Sequence, residues 1–283
     1  MSSPPATLPP ELAQKDRHLR DIFRAMDSVL VAFSGGVDSA FTLRVAHDEL
    51  GERVTALTTV SPTNPEDDTR TAVALAEQLG VTHVVITANE LDIPGYAANP
   101  INRCYFCKDA LYDICAAHAR THDIAAIVDG VNTDDLGDFR PGLRAADEHG
   151  TRHPLVEANL CKAEVRLLSR ALGLVTWDKP ASPCLSSRFP YGTEITLARL
   201  AMVARGEQVL HQEGFREVRV RYHGDVARLE IGRTELPRLA DTTMRQRVTD
   251  GLRAAGFHHV TLDLAGFRSG NLNDGVTPNA ATA

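Results

Sequence analysis

Three stretches of this 283-residue chain gather residue types able to do chemistry. The first is Ser34-Gly35-Gly36-Val37-Asp38-Ser39, which follows the strand-forming run Val29–Phe33 and precedes a helical pattern. A strand turning through two glycines into a helix start aims backbone N–H groups and a positive dipole end at one spot, which suits a phosphate. Gly35 and Gly36 let the backbone approach an anion closely, and the hydroxyls of Ser34 and Ser39 can donate to it. Asp38 repels an anion by itself, so its natural task there is to hold Mg²⁺ against phosphates. No lysine follows as in a G-x-x-x-x-G-K-[ST] loop. An ordinary Gly-rich turn is the bland alternative, but the full hexapeptide between strand and helix favours nucleotide binding.

The second stretch is Asn102-Arg103-Cys104-Tyr105-Phe106-Cys107-Lys108, a C-x-x-C at a helix start. The helix dipole lowers the pKa of such thiols, and the pair can meet one metal or each other. The third holds Cys184 within Pro180-Ala181-Ser182-Pro183-Cys184-Leu185-Ser186-Ser187-Arg188-Phe189-Pro190-Tyr191-Gly192, a segment with too many prolines for a helix. Arg188 near Cys184 would favour a thiolate and bind an anionic substrate. Cys104, Cys107 and Cys184 leave several readings open: structural cysteines, half a zinc site, or three thiolates on an iron–sulfur cluster with one open iron. No second C-x-x-C or C-x-x-H pair completes a zinc site. Cys115, mid-helix, and Cys161, just before a helix, read as packing residues.

Weaker signals accompany these. Asp129-Gly130-Val131-Asn132-Thr133-Asp134-Asp135, with Arg140-Pro141-Gly142 beyond, ends a candidate strand. It reads either as a turn with capping aspartates or as an ATP and Mg²⁺ contact on the same sheet edge as the phosphate loop. Arg219 and Arg221 alternate along a strand and share a face, where they would clamp a phosphate or simply meet solvent. Glu207 and Glu230 are weaker candidates for metal binding or proton handling.

The elements that must position these groups alternate. Candidate strands are Val29–Phe33, Val54–Val60, His83–Thr87 and Ala125–Val131; candidate helices are 39–50, 65–79, 105–120 and 162–172, after a leading helix at 11–26. Such alternation predicts an α/β fold with a parallel, doubly wound sheet, whose ligands bind beyond the strands' carboxyl ends. After Gly192 the pattern becomes helix 197–212, a hairpin of 217–222 and 226–231, helix 235–255 and strand 260–264, a smaller α+β domain. We therefore place the main domain at residues 19–192 and the second at 193–273. Residues 1–18 are expected to be weakly ordered and 274–283 to form a disordered tail.

Composition narrows the function classes. Net charge is −7, with 43% hydrophobic and 24% charged residues and no Lys/Arg run, so a large nucleic-acid face is not expected. The N-terminus lacks the pattern of a signal peptide and no apolar run reaches membrane-span length, so a soluble cytoplasmic protein is expected. Five cysteines in a chain this long do not form a disulfide scaffold.

SGGVDS resembles the PP-loop of the ATP pyrophosphatase superfamily, which cuts ATP between its α and β phosphates and adenylates a substrate. Within it the chain resembles the LarE-type ATP-dependent sulfur transferases of nickel-pincer nucleotide synthesis, which serve lactate racemase. The resemblance runs from about Leu19 to Asn273. It rests on SGGVDS, NRCYFCK, DGVNTDD with RPG, KPASPCLSSRFPYG, the Arg219/Arg221/Glu230 strands and the closing GFRSGNLN. It implies ATP and Mg²⁺ at Ser34, Gly35, Gly36, Asp38, Ser39, Asp129 and Asn132, with Asp38 on Mg²⁺. It also implies adenylation of carboxylates on pyridinium-3,5-biscarboxylic acid mononucleotide, conversion to thiocarboxylates at Cys184, and catalytic roles for Ser187 and Arg188. Arg219 and Arg221 would receive the substrate phosphate, with Glu207 and Glu230 as an acidic site. In one branch of the family the single cysteine gives up its own sulfur. In the other, three cysteines hold a [4Fe–4S] cluster, and Cys104, Cys107 and Cys184 match that branch. Implied partners are a sulfide donor, other enzymes of the same cofactor synthesis, and copies of the chain in oligomers built from trimers.

Two kinds of rival compete with this reading. Another PP-loop enzyme, a tRNA thiolase or an amidating synthetase, would show a basic stripe or dispense with the three cysteines. A non-catalytic nucleotide sensor would tend to lose Asp38 and Cys184, and both are present.

Overall fold

The computed structural model describes residues 8–137, 141–268 and 271–273. Arg140, Ser269, Gly270, the first seven residues and the tail from 274 onward lie outside the described residues. The chain divides into two compact units: Met1–Ser61, Glu66–Ala88 and Cys104–Ser182 in one, and Pro62–Pro65, Asn89–Arg103 and Pro183–Ala283 in the other.

The first unit runs α1 (Pro10–Arg24), β1 (Val29–Ala32), α2 (Val37–Leu50), β2 (Val54–Val60), α3 (Glu66–Leu79), β3 (Thr82–Thr87), α4 (Arg103–Thr121), β4 (Ala126–Val128), α5 (Pro141–Glu148), α6 (Pro154–Glu157) and α7 (Lys162–Ala171). Its sheet has the order β3-β2-β1-β4, all parallel, with Val29 opposite both Val54 and Ala126. The apolar run of β1 alternates between two cores because successive side chains point to opposite faces. Val29 and Val31 pack with Leu19 and Phe23 of α1, Phe41 and Val45 of α2, Ala76 of α3 and Leu168 of α7. Leu30 packs on Leu57 and Cys115, beside Leu111 and Ile114 of α4. A sheet covered on both faces in this way reads as continuous apolar runs, as the strands here do.

Two expectations are corrected in this unit. Residues 10–18 are helical rather than weakly ordered, because Leu12 and Leu19 fall on one helical face with Ile22 and Phe23, and all four are buried. Pro10 sits in the first turn, where its missing N–H costs nothing. The stretch between β4 and α7 also holds α5 and α6, which the proline at each start had hidden from a periodicity search.

The second unit contains α8 (Leu197–Gln212), β5 (Val218–His223), β6 (Val226–Ile231), α9 (Thr242–Ala255) and β7 (His259–Leu262). β5 and β6 form the expected antiparallel hairpin, and β7 joins β6 in parallel. The helices cross closely on glycines: a Cβ on Gly206 would meet Leu252 at 2.9 Å, and one on Gly251 would meet Val209 at 2.5 Å. The single helix expected over 235–255 is broken, because Pro237 starts a short 3₁₀ turn and Asp241 then caps α9 by accepting from the Met244 N–H at 2.6 Å. The unit also begins ten residues before the boundary read at 193. Backbone bonds from Leu185 to Thr63 (2.7 Å), Gly192 to Asn99 (2.9 Å) and Ile195 to Ala97 (2.8 Å) knit the Cys184 loop to the two short segments. Among the described residues no helix is long and apolar enough to cross a membrane.

Candidate functional site

The phosphate loop sits where β1 hands over to α2. Gly36 is the helix N-cap and Gly35 takes φ +71°, a conformation that favours glycine. The hydroxyls of Ser34 and Ser39 lie 3.1 Å apart, and Ser34 Oγ accepts from the Gly36 N–H at 3.4 Å. Both therefore converge on the helix N-terminus.

Asp38 stands in the first turn of α2. One carboxylate oxygen accepts from Lys162 Nζ at the start of α7, and Oδ1 is buried with no hydrogen-bond partner. Burial pushes the Asp38 carboxyl above its ordinary pKa against the pull of Lys162, and Asp135 nearby adds to the rise. A hard cation is the partner such an oxygen lacks, so the site fits Mg²⁺ held by one or two carboxylates and by substrate phosphates. Lys179 also reaches the loop, donating to the Gly35 carbonyl at 3.1 Å and pairing with Asp68 at 2.8 Å. Arg166 braces that lysine's segment by donating to the Trp177 and Lys179 carbonyls, each at 2.8 Å. Sequence reading noted the missing Walker lysine but did not find Lys162 or Lys179. Their distance along the chain hides them, and only the parallel topology brings them to this edge.

At the end of β4 the Asp129 carboxylate is already engaged. It accepts from Tyr112 Oη at 2.7 Å, His153 Nδ1 at 2.8 Å and the Val131 N–H at 3.0 Å. The bond to Asp129 raises the His153 pKa against the cost of burial, and Asp147 lies 3.5 Å from the other ring nitrogen. Asn132 is buried and caps the next turn by accepting from the Asp134 N–H at 3.0 Å. Through these bonds both residues brace the loop at the end of β4. Between them Gly130 lies against α2: a Cβ there would sit 2.6 Å from the Ser39 nitrogen. The strand end thus presses directly on the phosphate loop.

None of the five cysteines is in a disulfide. Cys104 is exposed and Cys107 half-buried on the first turn of α4, in the first unit, while the half-buried Cys184 belongs to the second. Among the described residues no group of three or more His, Cys, Asp or Glu side chains is placed to hold a metal ion. Cys115 is a core residue whose thiol burial pushes up to about 12, so it stays protonated. Cys161 does more than pack: it caps α7 reciprocally with Glu164.

In the second unit Cys184 precedes a 3₁₀ turn at Leu185–Arg188. Arg188, only 1% exposed, forks onto Glu207 with two 2.8 Å bonds. Its third nitrogen donates to the carbonyls of Pro183 (2.7 Å) and Cys184 (3.1 Å) and to Ser187 Oγ (2.9 Å). Arg188 therefore fastens the Cys184 loop from within and, with its charge matched by Glu207, does not present itself to a substrate. Burial would raise the Glu207 carboxyl, but the Arg188 charge and hydrogen bonds prevail and hold it below its ordinary pKa.

Arg219 and Arg221 share a face of β5, and both are buried rather than solvated. Arg221 donates to Glu230 at 2.8 Å and to the Ser187 carbonyl at 2.6 Å, and its Nε is buried without an acceptor. Burial and the neighbouring charges of Arg188 and Arg221 pull Arg219 down to about 10. Glu230 is fully buried, accepting from Arg221, from Arg228 at 3.1 Å and from Asn271 at 2.6 Å. Both glutamates therefore act as counter-ions, and Arg188, Arg219 and Arg221 against Glu207 and Glu230 leave a positive excess suited to a phosphate.

Comparison with known proteins fits this geometry. Residues 17–95, which include the phosphate loop, match the NAD synthase family. An uncharacterised protein of Synechocystis is 44% identical over 266 residues, 94% of this chain and 99% of the relative. A Lactiplantibacillus plantarum protein named pyridinium-3,5-bisthiocarboxylic acid mononucleotide synthase is 40% identical over 268 residues, 94% of this chain and 96% of the relative. An uncharacterised protein of Methanocaldococcus jannaschii is 25% identical over 259 residues, 92% and 98% of the two chains.

Proposed function

Because the chain belongs to the pyridinium-3,5-bisthiocarboxylic acid mononucleotide synthase family, we propose that it is an ATP-dependent sulfur transferase acting on the carboxylates of a pyridinium mononucleotide. The end-to-end match to that synthase carries the reading, since it spans both the phosphate loop and the Cys184 loop.

In this reading the N–H groups at the start of α2, Ser34 and Ser39 take the phosphates of ATP, and Asp38 holds Mg²⁺ against them. A substrate carboxylate oxygen attacks the α-phosphorus, the bond to pyrophosphate breaks, and an acyl-adenylate forms. Sulfur delivered at Cys184 then attacks the acyl carbon, AMP departs with the bonding electrons, and the carboxylate has become a thiocarboxylate. Arg219 and Arg221 receive the substrate phosphate, supported by the unpaired Arg221 Nε. Ser187, between Arg188 and Arg221, lines the same loop.

Two sulfur sources are compatible with the cysteine pattern of the sequence. Cys104, Cys107 and Cys184 match in number the three thiolates of the family's [4Fe–4S] branch, and a cluster there would furnish a transferable sulfide. Alternatively, the Cys184 thiolate itself attacks the acyl carbon. Loss of its Cα proton and cleavage of its Cβ–S bond then release the thiocarboxylate and leave dehydroalanine.

The test is pyrophosphate release from Mg·ATP with and without the mononucleotide. Substrate-dependent release supports the reading, and a protein that binds ATP yet releases none with substrate is a sensor instead.

A further inference from the structure

Cys184 lies on a loop whose prolines forbid regular structure, yet a sulfur transfer needs the reacting atom held to within a fraction of an ångström. One side of the loop is held by Arg188 and Glu207. A second holding point lies in the segment Asn89–Arg103, which carries no motif before Asn102 and which the proposed chemistry does not use.

Asn99 is fully buried at φ +56°, a left-handed conformation that Asn tolerates better than most side chains. Its amide nitrogen donates to the carbonyls of Pro190 at 2.8 Å and Phe189 at 3.3 Å. Its side-chain oxygen accepts from Arg103, and its backbone carbonyl accepts from the Gly192 N–H at 2.9 Å. Arg103 is 2% exposed and lies over the Tyr191 ring, 5.9 Å from its centroid. Three residues earlier, Tyr96 is fully buried with its hydroxyl 2.9 Å from Ser186 Oγ. These contacts fall at Ser186 and at Phe189–Gly192, so they bracket Ser187 and Arg188 and begin two residues after Cys184.

We propose that Tyr96 and Asn99 are positioning residues for sulfur transfer: together they clasp the Cys184 loop so that sulfur meets the acyl-adenylate instead of water. Both residues are fully buried and act through the loop they hold. Fully satisfied buried polar groups of this kind fix one arrangement at the expense of others. Both belong to the unit that holds Cys184 and not to the unit of the phosphate loop, so loosening them should spare adenylation and lower the yield of sulfur transfer per ATP used. This rests on the reaction proposed above.

Tyr96→Phe removes one hydroxyl while keeping the ring. Asn99→Gly keeps the left-handed backbone while removing the amide. For both, thiocarboxylate formed per pyrophosphate released is measured with the KM for ATP, and hydrogen exchange is followed in the 183–192 peptide. The clasp predicts faster exchange, an unchanged KM, and a yield per pyrophosphate lowered about tenfold in Tyr96→Phe and about a hundredfold in Asn99→Gly. Wild-type yield in both variants overturns it, as does a fall in pyrophosphate release that matches the fall in product. If the wild-type protein releases no pyrophosphate with substrate, the functional reading fails on its own. Exchange then decides the clasp: unchanged rates in both variants overturn it and faster rates uphold it.

Discussion

Asp38 keeps one carboxylate oxygen buried and unpartnered in the first turn of a helix, a position suited to a hard cation. Asp38→Asn retains the shape but loses the charge that would hold Mg²⁺ in the proposed reaction, so substrate-dependent pyrophosphate release should fall by about a hundredfold or more while far-UV circular dichroism stays unchanged. Arg188 calls for a different outcome. Its removal strands the buried Glu207 carboxylate, so Arg188→Ala should lose about 3–5 kcal/mol in urea unfolding. His153 gives a pH-dependent outcome. Its folded pKa is raised above the ordinary 6.5 by Asp129, so its contribution is complete below 6.5 and disappears as pH rises through the folded value. The melting temperature of the wild type should exceed that of His153→Gln at low pH and converge with it as pH climbs; parallel curves would contradict the pairing. At this scale the sequence shows which residues carry charge or a nucleophile, but not what each is bonded to. SGGVDS was legible because its chemistry lies in six consecutive residues. Lys162 was not, because it meets Asp38 from 124 residues away. Arg188 and Glu230 have clear charge in the sequence but no visible counter-ions, and burial with Glu207 and Arg221 turns them into fasteners.

The strand ends carry the site. β1 delivers the phosphate loop and β4 delivers Asp129 and Gly130, and parallel pairing of Val29 with Ala126 places the two ends on one edge. Gly130 leaves no room for a Cβ against the Ser39 nitrogen, so Gly130→Ala must displace α2's first turn. That overpacking should cost about 1–3 kcal/mol, and ATP affinity measured by calorimetry should fall by tenfold or more. Wild-type affinity in this variant would show that the contact is not felt. Strands and long helices were readable because apolar alternation at period two and faces at period 3.6 are local signals. The clasp around Cys184 was not, because Tyr96 and Asn99 act through contacts about 90 residues distant and Asn99 through a backbone angle.

On the scale of the molecule, the phosphate loop lies in one unit and the Cys184 loop with its arginines in the other. The short segments that join the second unit were invisible, because membership there is decided by hydrogen bonds and not by pattern. The three cysteines are shared between the units, and their use is a property of the whole chain. Protein purified without oxygen should carry about four irons and acid-labile sulfide, lost in Cys104→Ala, if all three act together. An iron-free protein that loses one H₂S at Cys184 after turnover would show that the chain consumes its own sulfur. Both outcomes keep the central claim, which is ATP-driven replacement of a carboxylate oxygen by sulfur at Cys184. Mass spectrometry of the mononucleotide after incubation with Mg·ATP tests it most directly. The account predicts a product with oxygen replaced by sulfur, formed with pyrophosphate and absent with Cys184→Ser. A product without sulfur, or an unchanged yield in Cys184→Ser, would contradict it.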